Sequence, residues 1–388
     1  MDITIHPNRL QGTIRVIPSK SQAHRYLICA ALADKPTAIR CAETSRDMDA
    51  TADCLTALGA NIERTAWGYQ VTPIVTLPEQ AALPCRDSGS TLRFLLPVAG
   101  ALGVDATFQM EGRLPNRPLS PLWEEMERMG CSLSRPTADT IRCTGKLKAG
   151  EYIIDGGVSS QFITGLMLAI PLIPGESEIT ITGYLESKPY IDLTSEAQQT
   201  FGYPGYHSPD TISVEGDWSN GAFWLAANAL GSSLDIQNLN PHSVQGDRAA
   251  DKLLRELREN VQIDVRNIPD LVPILSIVAA LNHGAVFRNI HRLRMKESDR
   301  VASTIAMIEN LGGKAAEMGG HLVVHGTGLR GGTVDSVNDH RIAMAAAIAA
   351  TVCTEPVTIL GAESVEKSYP KFWAEYARLG GQYEFNLR

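Results

Sequence analysis

Six times along this 388-residue chain a small polar or charged cluster opens an apolar, Ala- and Leu-rich run of helical length. The openings are Pro18-Ser19-Lys20-Ser21, Asp87-Ser88-Gly89-Ser90, Gly157-Val158-Ser159-Ser160, Asp217-Trp218-Ser219-Asn220, Pro269-Asp270 and Asn338-Asp339-His340-Arg341. Counted from the first residue of each, the steps are 69, 70, 60, 52 and 69 residues. Solenoid repeats of about 20 to 50 residues are shorter, and each step here has room for two helices and several strands. The spacing therefore predicts closed α/β domains made from six copies of one unit.

A second helix recurs in each unit. In five of the six it ends at a glycine, in Leu58-Gly59-Ala60, Met129-Gly130-Cys131, Phe201-Gly202-Tyr203, Leu311-Gly312-Gly313 and Leu379-Gly380-Gly381. Glycine there supplies the left-handed residue that terminates a helix. The fourth copy, over 251–259, ends without one. A strand pair follows most of these glycines, as over 61–75, or over 314–325 with a turn at Gly319-Gly320. Only 203–216 and 262–268 remain for this purpose in the third and fourth units, which are expected to have lost a hairpin. A first strand is expected over 3–17, and a domain boundary near 214–217, halfway through the repeats.

The net charge of −8 argues against a broad nucleic-acid surface, so basic residues used for binding have to be clustered locally. The longest apolar stretch, 342–353, is too short to span a bilayer, and the N-terminal residues show no secretory pattern. Seven scattered cysteines without a Cys-x-x-Cys pair fit a reducing cytoplasm and no metal or disulfide framework.

Cations do gather at the unit openings. Lys20 and Arg25 share the first helix, Arg93 follows the second opening, and Arg117-Pro118 comes after it. Lys296-Glu297-Ser298-Asp299-Arg300 precedes the second helix of unit five, His340-Arg341 opens the last long helix, and Lys367 sits in a late loop. The helix dipole disfavours cations at these starts, so repeated placement asks for a compensating anion. Arg grips carboxylate or phosphate with a bidentate fork and Lys supplies a compact charge. Both a multiply anionic substrate and a structural ion-pair network satisfy this pattern. Asp270 reads either as an N-cap or as a functional carboxylate, and Glu297 as an ion-pair partner of its neighbours. No Gly-x-Ser-x-Gly elbow, Walker loop or Gly-x-Gly-x-x-Gly turn is present.

Taken in order from residue 18 to residue 367, these motifs resemble those of the 5-enolpyruvylshikimate-3-phosphate synthase family. The set also includes Gly157-Val158-Ser159-Ser160-Gln161-Phe162 and Ser187-Lys188-Pro189-Tyr190-Ile191-Asp192. The resemblance implies a two-domain inside-out α/β barrel, each domain made of three βαβαββ units, with the third and fourth units shortened here. It implies a discontinuous domain, 1–18 with 215–388, a continuous one, 19–214, and an active site in the cleft between them that closes on substrate.

The implied reaction moves the enolpyruvyl group of phosphoenolpyruvate to the 5-hydroxyl of shikimate 3-phosphate and releases phosphate, with no cofactor or metal. Lys20, Gly89, Arg117, Gln161, Arg300, Arg341 and Lys367 would hold phosphoenolpyruvate. Ser21, Arg25, Ser159, Ser160, Ser187, Tyr190 and Lys296 would hold shikimate 3-phosphate, together with Lys20, Gln161 and Asp270. Asp270 would be the general base, Glu297 the group that gives and removes the methylene proton, and Lys20 a third catalytic residue. Expected partners are these small anions alone, without nucleic acid or membrane, for a monomer in the cytoplasm.

Three departures stand out. Asp87-Ser88-Gly89-Ser90 replaces the usual Asn-Ala-Gly-Thr, putting an acid near the phosphoenolpyruvate site, and Arg292 stands where the family has Asn. The third departure is the shortening of two units. Gly89 is kept, so glyphosate is expected to enter. The sister activity on UDP-N-acetylglucosamine uses a cysteine shortly before Arg-Pro, whereas Glu111-Gly112-Arg113-Leu114-Pro115-Asn116 contains none. A noncatalytic anion binder of the same fold would need the cations but not both Asp270 and Glu297.

Overall fold

Side chains of the polar openings start helices in five of the six places. Ser19, Ser88, Ser159, Asp217 and Asp339 each accept a hydrogen bond from a backbone N–H two or three residues on. They cap Lys20–Ala31, Gly89–Leu102, Ser160–Ala169, Trp218–Ala229 and His340–Ala350, satisfying donors that a helix start leaves orphaned. Asp270 does not: helix Val272–Leu281 has Leu271 at its cap position and no side-chain cap bond. The N-cap reading of Asp270 is thus corrected, and its carboxylate is left for other partners.

The computed structural model describes residues 1–257 and 261–386 and has a mixed α/β architecture. Contacts divide the chain into two units, Pro18–Glu215 and Met1–Ile17 with Gly216–Arg388. Each has its own apolar core. The helices opened by the polar clusters form the centre of those cores. Val272–Leu281 and His340–Ala350 are buried on nearly every side, as expected of helices apolar all round. Gly165 lets Ser160–Ala169 lie directly against the Arg93 carbonyl of Gly89–Leu102, where any Cβ would collide.

In Pro18–Glu215 one sheet has the order Thr211–Ser213, Thr37–Arg40, Gly68–Thr72, Asn61–Thr65, and a second Gln80–Arg86, Asp105–Met110, Thr140–Gly145, Cys131–Ser134. The first two strands of each are parallel and the others antiparallel. Glu151–Asp155 and Glu178–Thr182 form a parallel pair alone. The other unit repeats the scheme. Val261–Asp264, Ala285–Arg288, His321–His325 and Lys314–Met318 make one sheet, and Gly332–Asp335, Val357–Leu360, Asp2–His6 and Gln382–Asn386 another. Its parallel pair is Gln11–Arg15 with Ser233–Gln237. Capped helices bridge Gln80–Arg86 to Asp105–Met110, Glu151–Asp155 to Glu178–Thr182 and Gly332–Asp335 to Val357–Leu360, and Val272–Leu281 bridges Val261–Asp264 to Ala285–Arg288, since a parallel connection needs a crossover.

One expectation changes. The stretch 3–17 is not one strand: Asp2–His6 and Gln11–Arg15 lie in different sheets, because Pro7 lacks the N–H a continuing ladder requires. The short segments of units three and four each hold a single strand, in keeping with the expected loss of a hairpin. Thr211–Ser213 and Val261–Asp264 are the first strands of neighbouring sheets, paired in parallel with Thr37–Arg40 and Ala285–Arg288. The fourth unit's second helix is Ala250–Glu256, and its expected end at residue 259 lies outside the described residues. The five helix-ending glycines, 59, 130, 202, 312 and 380, all have left-handed φ, from 76° to 113°. No helix of the described residues is long and apolar enough to cross a membrane.

Candidate active site

Within Pro18–Glu215, polar side chains tie the helix starts together. Lys20 Nζ lies 2.9 Å from Asp47 Oδ2, both largely buried, Asp47 being in the first turn of Arg46–Ala57. His24 Nδ1 is 2.7 Å from Thr51 Oγ1, which is 2.7 Å from Thr91 Oγ1, and Thr91 in turn donates to Ser88 Oγ. Arg93 Nη1 donates to Gln161 Oε1 at 2.9 Å, and the Gln161 amide donates to Ser90 Oγ at 3.0 Å. A Cβ at Gly89 would stand 2.5 Å from Arg117 Nη1 and 2.8 Å from Arg93 Nη1, so the bare glycine leaves two guanidiniums room. Gly89, Arg117 and Gln161 therefore share one corner with Arg93.

Arg25 is 1% exposed and its fork is engaged. It donates to Thr194 Oγ1, the Ser21 carbonyl, the Tyr190 carbonyl and Thr164 Oγ1 at 2.5 to 3.3 Å, and lies 5.0 Å from the Phe94 ring centroid. It braces Ser21 and Tyr190 against each other. Ser187, before helix Lys188–Thr200, takes left-handed φ of 57°, and Ser160 follows the cap Ser159 directly.

The second cluster lies in the other unit and centres on Arg300, 0% exposed at its side chain. Nη1 donates to Asp270 Oδ1 at 2.7 Å, Nη2 to Glu297 Oε2 at 2.6 Å and Nε to Asp339 Oδ2 at 3.1 Å. Three carboxylates thus share one planar fork, which only Arg can offer. Arg341 Nη2 takes the other oxygen of Asp270 at 2.8 Å, and Lys296 Nζ stands 4.0 Å from Asp270 Oδ1. Asp339 also accepts from Ser298 Oγ and from the Arg341 amide. Lys367 Nζ donates to the Asn338 carbonyl at 2.9 Å, beside this helix start.

Electrostatics separate these groups. Burial alone would push Asp270 up, but Arg341, Lys296 and Arg300 outweigh it and hold the carboxyl well below the usual range. Burial brings Lys296 down to about 8 against the pull of Asp270. Arg300 resists its own burial because Asp339, Glu297 and Asp270 keep it charged. His24 is pushed well down by burial and then by Lys20 and Arg25, so its imidazole is neutral. Asp270 is an ionised carboxylate among cations, with Glu297 on the same guanidinium.

The sequence description of EPSP synthase (3-phosphoshikimate 1-carboxyvinyltransferase) matches residues 5–262 and 258–376. A relative from Clostridium kluyveri named 3-phosphoshikimate 1-carboxyvinyltransferase is 38% identical over 98% of this chain and 97% of its own length. One of the same name from Clostridium acetobutylicum is 37% identical over 99% of each. The chain belongs to the EPSP synthase family. A solved EPSP synthase from Acinetobacter baumannii has the same fold, with TM-score 0.80 over 99% of this chain at 23% identity.

Against the motifs of the EPSP synthase family, the structure brings Gly89, Arg117 and Gln161 together, and separately Asp270, Lys296, Glu297, Arg300 and Arg341. The sequence reading missed Asp47 and gave Arg93 and Asp339, which it quoted in motifs, no role in the site. Asp47 holds Lys20, Arg93 orients Gln161, and Asp339 holds Arg300. Asp47 carried one usable signal, a carboxylate in a helix's first turn in the same unit as Lys20. The departing Asp87 places its carboxylate against Gly112, 3.0 Å from where a Cβ of that residue would lie. Arg292 is buried in the turn His291–Met295 and helps lower Lys296.

Proposed function

We propose that this chain transfers the enolpyruvyl group of phosphoenolpyruvate to the 5-hydroxyl of shikimate 3-phosphate, releasing phosphate. It is a carboxyvinyl transferase of the shikimate route to aromatic amino acids. The observation that carries the mechanism is the sharing of the Arg300 guanidinium by Asp270 and Glu297 at 2.7 and 2.6 Å. Two carboxylates fixed on one guanidinium suit a reaction in which one proton leaves a hydroxyl and another reaches a nearby carbon.

Lys20, Gly89, Arg117, Gln161, Arg300, Arg341 and Lys367 hold phosphoenolpyruvate in this reading. Ser21, Arg25, Ser159, Ser160, Ser187, Tyr190 and Lys296 hold shikimate 3-phosphate, with Lys20, Gln161 and Asp270. Incoming anions compete for Arg300 and Arg341, which relaxes their hold on the two carboxylates and raises the affinity of both for protons. Asp270 takes the proton of the 5-hydroxyl as its oxygen bonds to C2 of phosphoenolpyruvate. Glu297 protonates C3, turning the methylene into a methyl. The surrounding cations stabilise the resulting tetrahedral intermediate, and Lys20 shares in that role. Glu297 then removes a methyl proton as the C2–O bond to phosphate breaks, and the hydroxyl proton held by Asp270 leaves with the phosphate. With this goes the finer architecture the family implies, inside-out α/β barrels of three units each, in a monomeric cytoplasmic enzyme whose two clusters act on one pair of substrates.

The test is to run the protein with both substrates in heavy water and weigh the product. Enolpyruvylshikimate 3-phosphate with deuterium in its vinyl group is expected, because C3 passes through a methyl; product without deuterium, or no product, contradicts the scheme.

Replacing Gly89 with Ala drives a methyl into the Arg117 and Arg93 guanidiniums, which shift as flexible ends do. Initial rates should show KM for phosphoenolpyruvate up about tenfold with kcat little changed, and weaker inhibition by glyphosate. An unchanged KM contradicts the placement of Gly89. Lys296 titrates near 8, carrying charge below that pH and losing it above. KM for shikimate 3-phosphate should be flat below pH 8 and climb above it, toward about tenfold per unit. Lys296→Arg, which stays charged, should remove the climb.

A further inference from the structure

Two sheets end after one parallel pair: Gln11–Arg15 with Ser233–Gln237, and Glu151–Asp155 with Glu178–Thr182. In the four larger sheets the second strand of such a pair meets an antiparallel neighbour. Thr37–Arg40 meets Gly68–Thr72, Asp105–Met110 meets Thr140–Gly145, Ala285–Arg288 meets His321–His325, and Val357–Leu360 meets Asp2–His6. The two short sheets lack that neighbour, and an edge left so recruits other strands unless it is guarded.

Three of their edges are guarded. The Asn228 amide donates to the Leu234 carbonyl and accepts from the Leu234 N–H, each at 2.8 Å, as a neighbouring strand would. Gln11 N–H donates to the Leu379 carbonyl, and Arg378 to the Thr13 carbonyl. Ile153 N–H donates to the Glu125 carboxylate, and Arg128 to the Glu151 carbonyl. The outer edge of Glu178–Thr182 is different. Glu178 N–H donates to the Gly150 carbonyl and Gly156 N–H to the Thr182 carbonyl, so the even-numbered residues face Glu151–Asp155. Ile179 and Ile181 therefore turn their N–H and C=O groups outward, where no hydrogen bond meets them among the described residues. The strand holds no Lys or Pro to guard them. Beside it lies a groove of about 430 Å³ lined by Met167, Ile170, Ile179, Gln198 and Tyr203. Ile181 is 36% exposed and Tyr203 54%.

We propose that this edge pairs with the same edge of a second copy of the chain, antiparallel about a two-fold axis at Thr180. The sequence Glu178-Ile179-Thr180-Ile181-Thr182 is self-complementary in that register. Ile179 comes opposite Ile181 of the partner subunit and the two exchange both backbone hydrogen bonds. The symmetric pair does the same, so every outward group of both isoleucines is satisfied. Glu178 comes opposite the partner subunit's Thr182, and Glu176 opposite the partner subunit's Tyr184, so no like charges meet. The partner subunit's Ile181 shares a face with Ile179, over the groove. Ser233–Gln237 is not suited to the same pairing: its Leu234 groups are taken, and a two-fold axis at its centre sets Asp235 against Asp235 of the partner subunit. Met167 and Gln198 in the groove stand near the C-terminal ends of Ser160–Ala169 and Lys188–Thr200, whereas Ser160, Gln161 and Tyr190 stand near their starts. Each chain thus keeps its own site, and the pairing replaces only the single-chain state given with the proposed function.

Sedimentation velocity of the full chain over a range of concentrations should show a species of two chains. Ile181→Lys puts a charge on the edge and should return the protein to single chains, with kcat and both KM values unchanged. Thr180→Cys supplies a second reading. Facing residues at such an axis lie about 4.5 Å apart at Cα, within disulfide range. Two of the introduced thiols should therefore join in one interchain disulfide as oxidised glutathione is reduced to two glutathione thiols. The native cysteines are all buried, and Asp235→Cys on the guarded sheet should not cross-link. Single chains at every concentration overturn the proposal, even if an added extended peptide occupies the groove. A two-chain species that Ile181→Lys leaves intact, or in which Thr180→Cys does not cross-link, overturns it as well.

Discussion

Asp270→Asn is expected to lower kcat by about 10³-fold while KM for phosphoenolpyruvate falls or holds steady. Asn keeps the shape of the side chain and loses the proton acceptor, which accounts for the fall in kcat. The split from KM follows from geometry: both Asp270 oxygens occupy arginines, Arg300 at 2.7 Å and Arg341 at 2.8 Å, that the proposed function assigns to the substrate anion. Removing the resident charge frees those arginines. Steady-state rates over a range of phosphoenolpyruvate concentrations decide the matter. A variant that loses affinity but keeps kcat would mean that Asp270 organises the arginines and moves no proton.

Arg300→Ala is expected to cost both activity and fold. The guanidinium is wholly buried and holds Asp270, Glu297 and Asp339, and Asp339 is itself wholly buried. Truncation strands Asp339 with hydrogen bonds but without that cation, a loss of about 3–5 kcal/mol for a broken buried pair. For a unit of this size that lowers the melting temperature by on the order of 10 °C. The sign with pH is specific. Asp270 is held below its unfolded value of 3.8, so its contribution to stability is present above that pH and is lost as pH falls through the native value. Most of that hold comes from cations that include Arg300, so the gap between native and variant melting temperatures should narrow on acidification. Thermal unfolding near neutral pH and again well below pH 3.8 checks this; a gap that widens in acid contradicts the three-carboxylate arrangement.

What the sequence made legible was local. Helix starts at Ser19, Ser88, Ser159, Asp217 and Asp339, and helix ends at glycines 59, 130, 202, 312 and 380, follow from capping and left-handed backbone, which depend on a few neighbouring residues. The Lys296-to-Arg300 motif was also legible, because Glu297 and Arg300 are only three residues apart and meet in an ion pair.

What was hidden depends on tertiary packing. Asp47 reaches Lys20 from a different helix, and Arg93 reaches Gln161 across 68 positions. Asp339 looked like a cap and is one, yet its second oxygen reaches Arg300, 39 residues earlier. Asp270 looked like a cap and is not, because two arginines brought up by other helices outbid a backbone N–H for its oxygens. The sheets joined by Thr211–Ser213 and Val261–Asp264 were hidden for the same reason: a strand's sheet is chosen by its partner, and each partner lies outside the segment read as its unit.

Phosphate release from phosphoenolpyruvate, with shikimate 3-phosphate and UDP-N-acetylglucosamine supplied as acceptors in parallel, tests the proposed function most directly. Release with shikimate 3-phosphate alone, lost in Asp270→Ala, is the expected result. Release with the sugar nucleotide instead, or with neither acceptor, contradicts it.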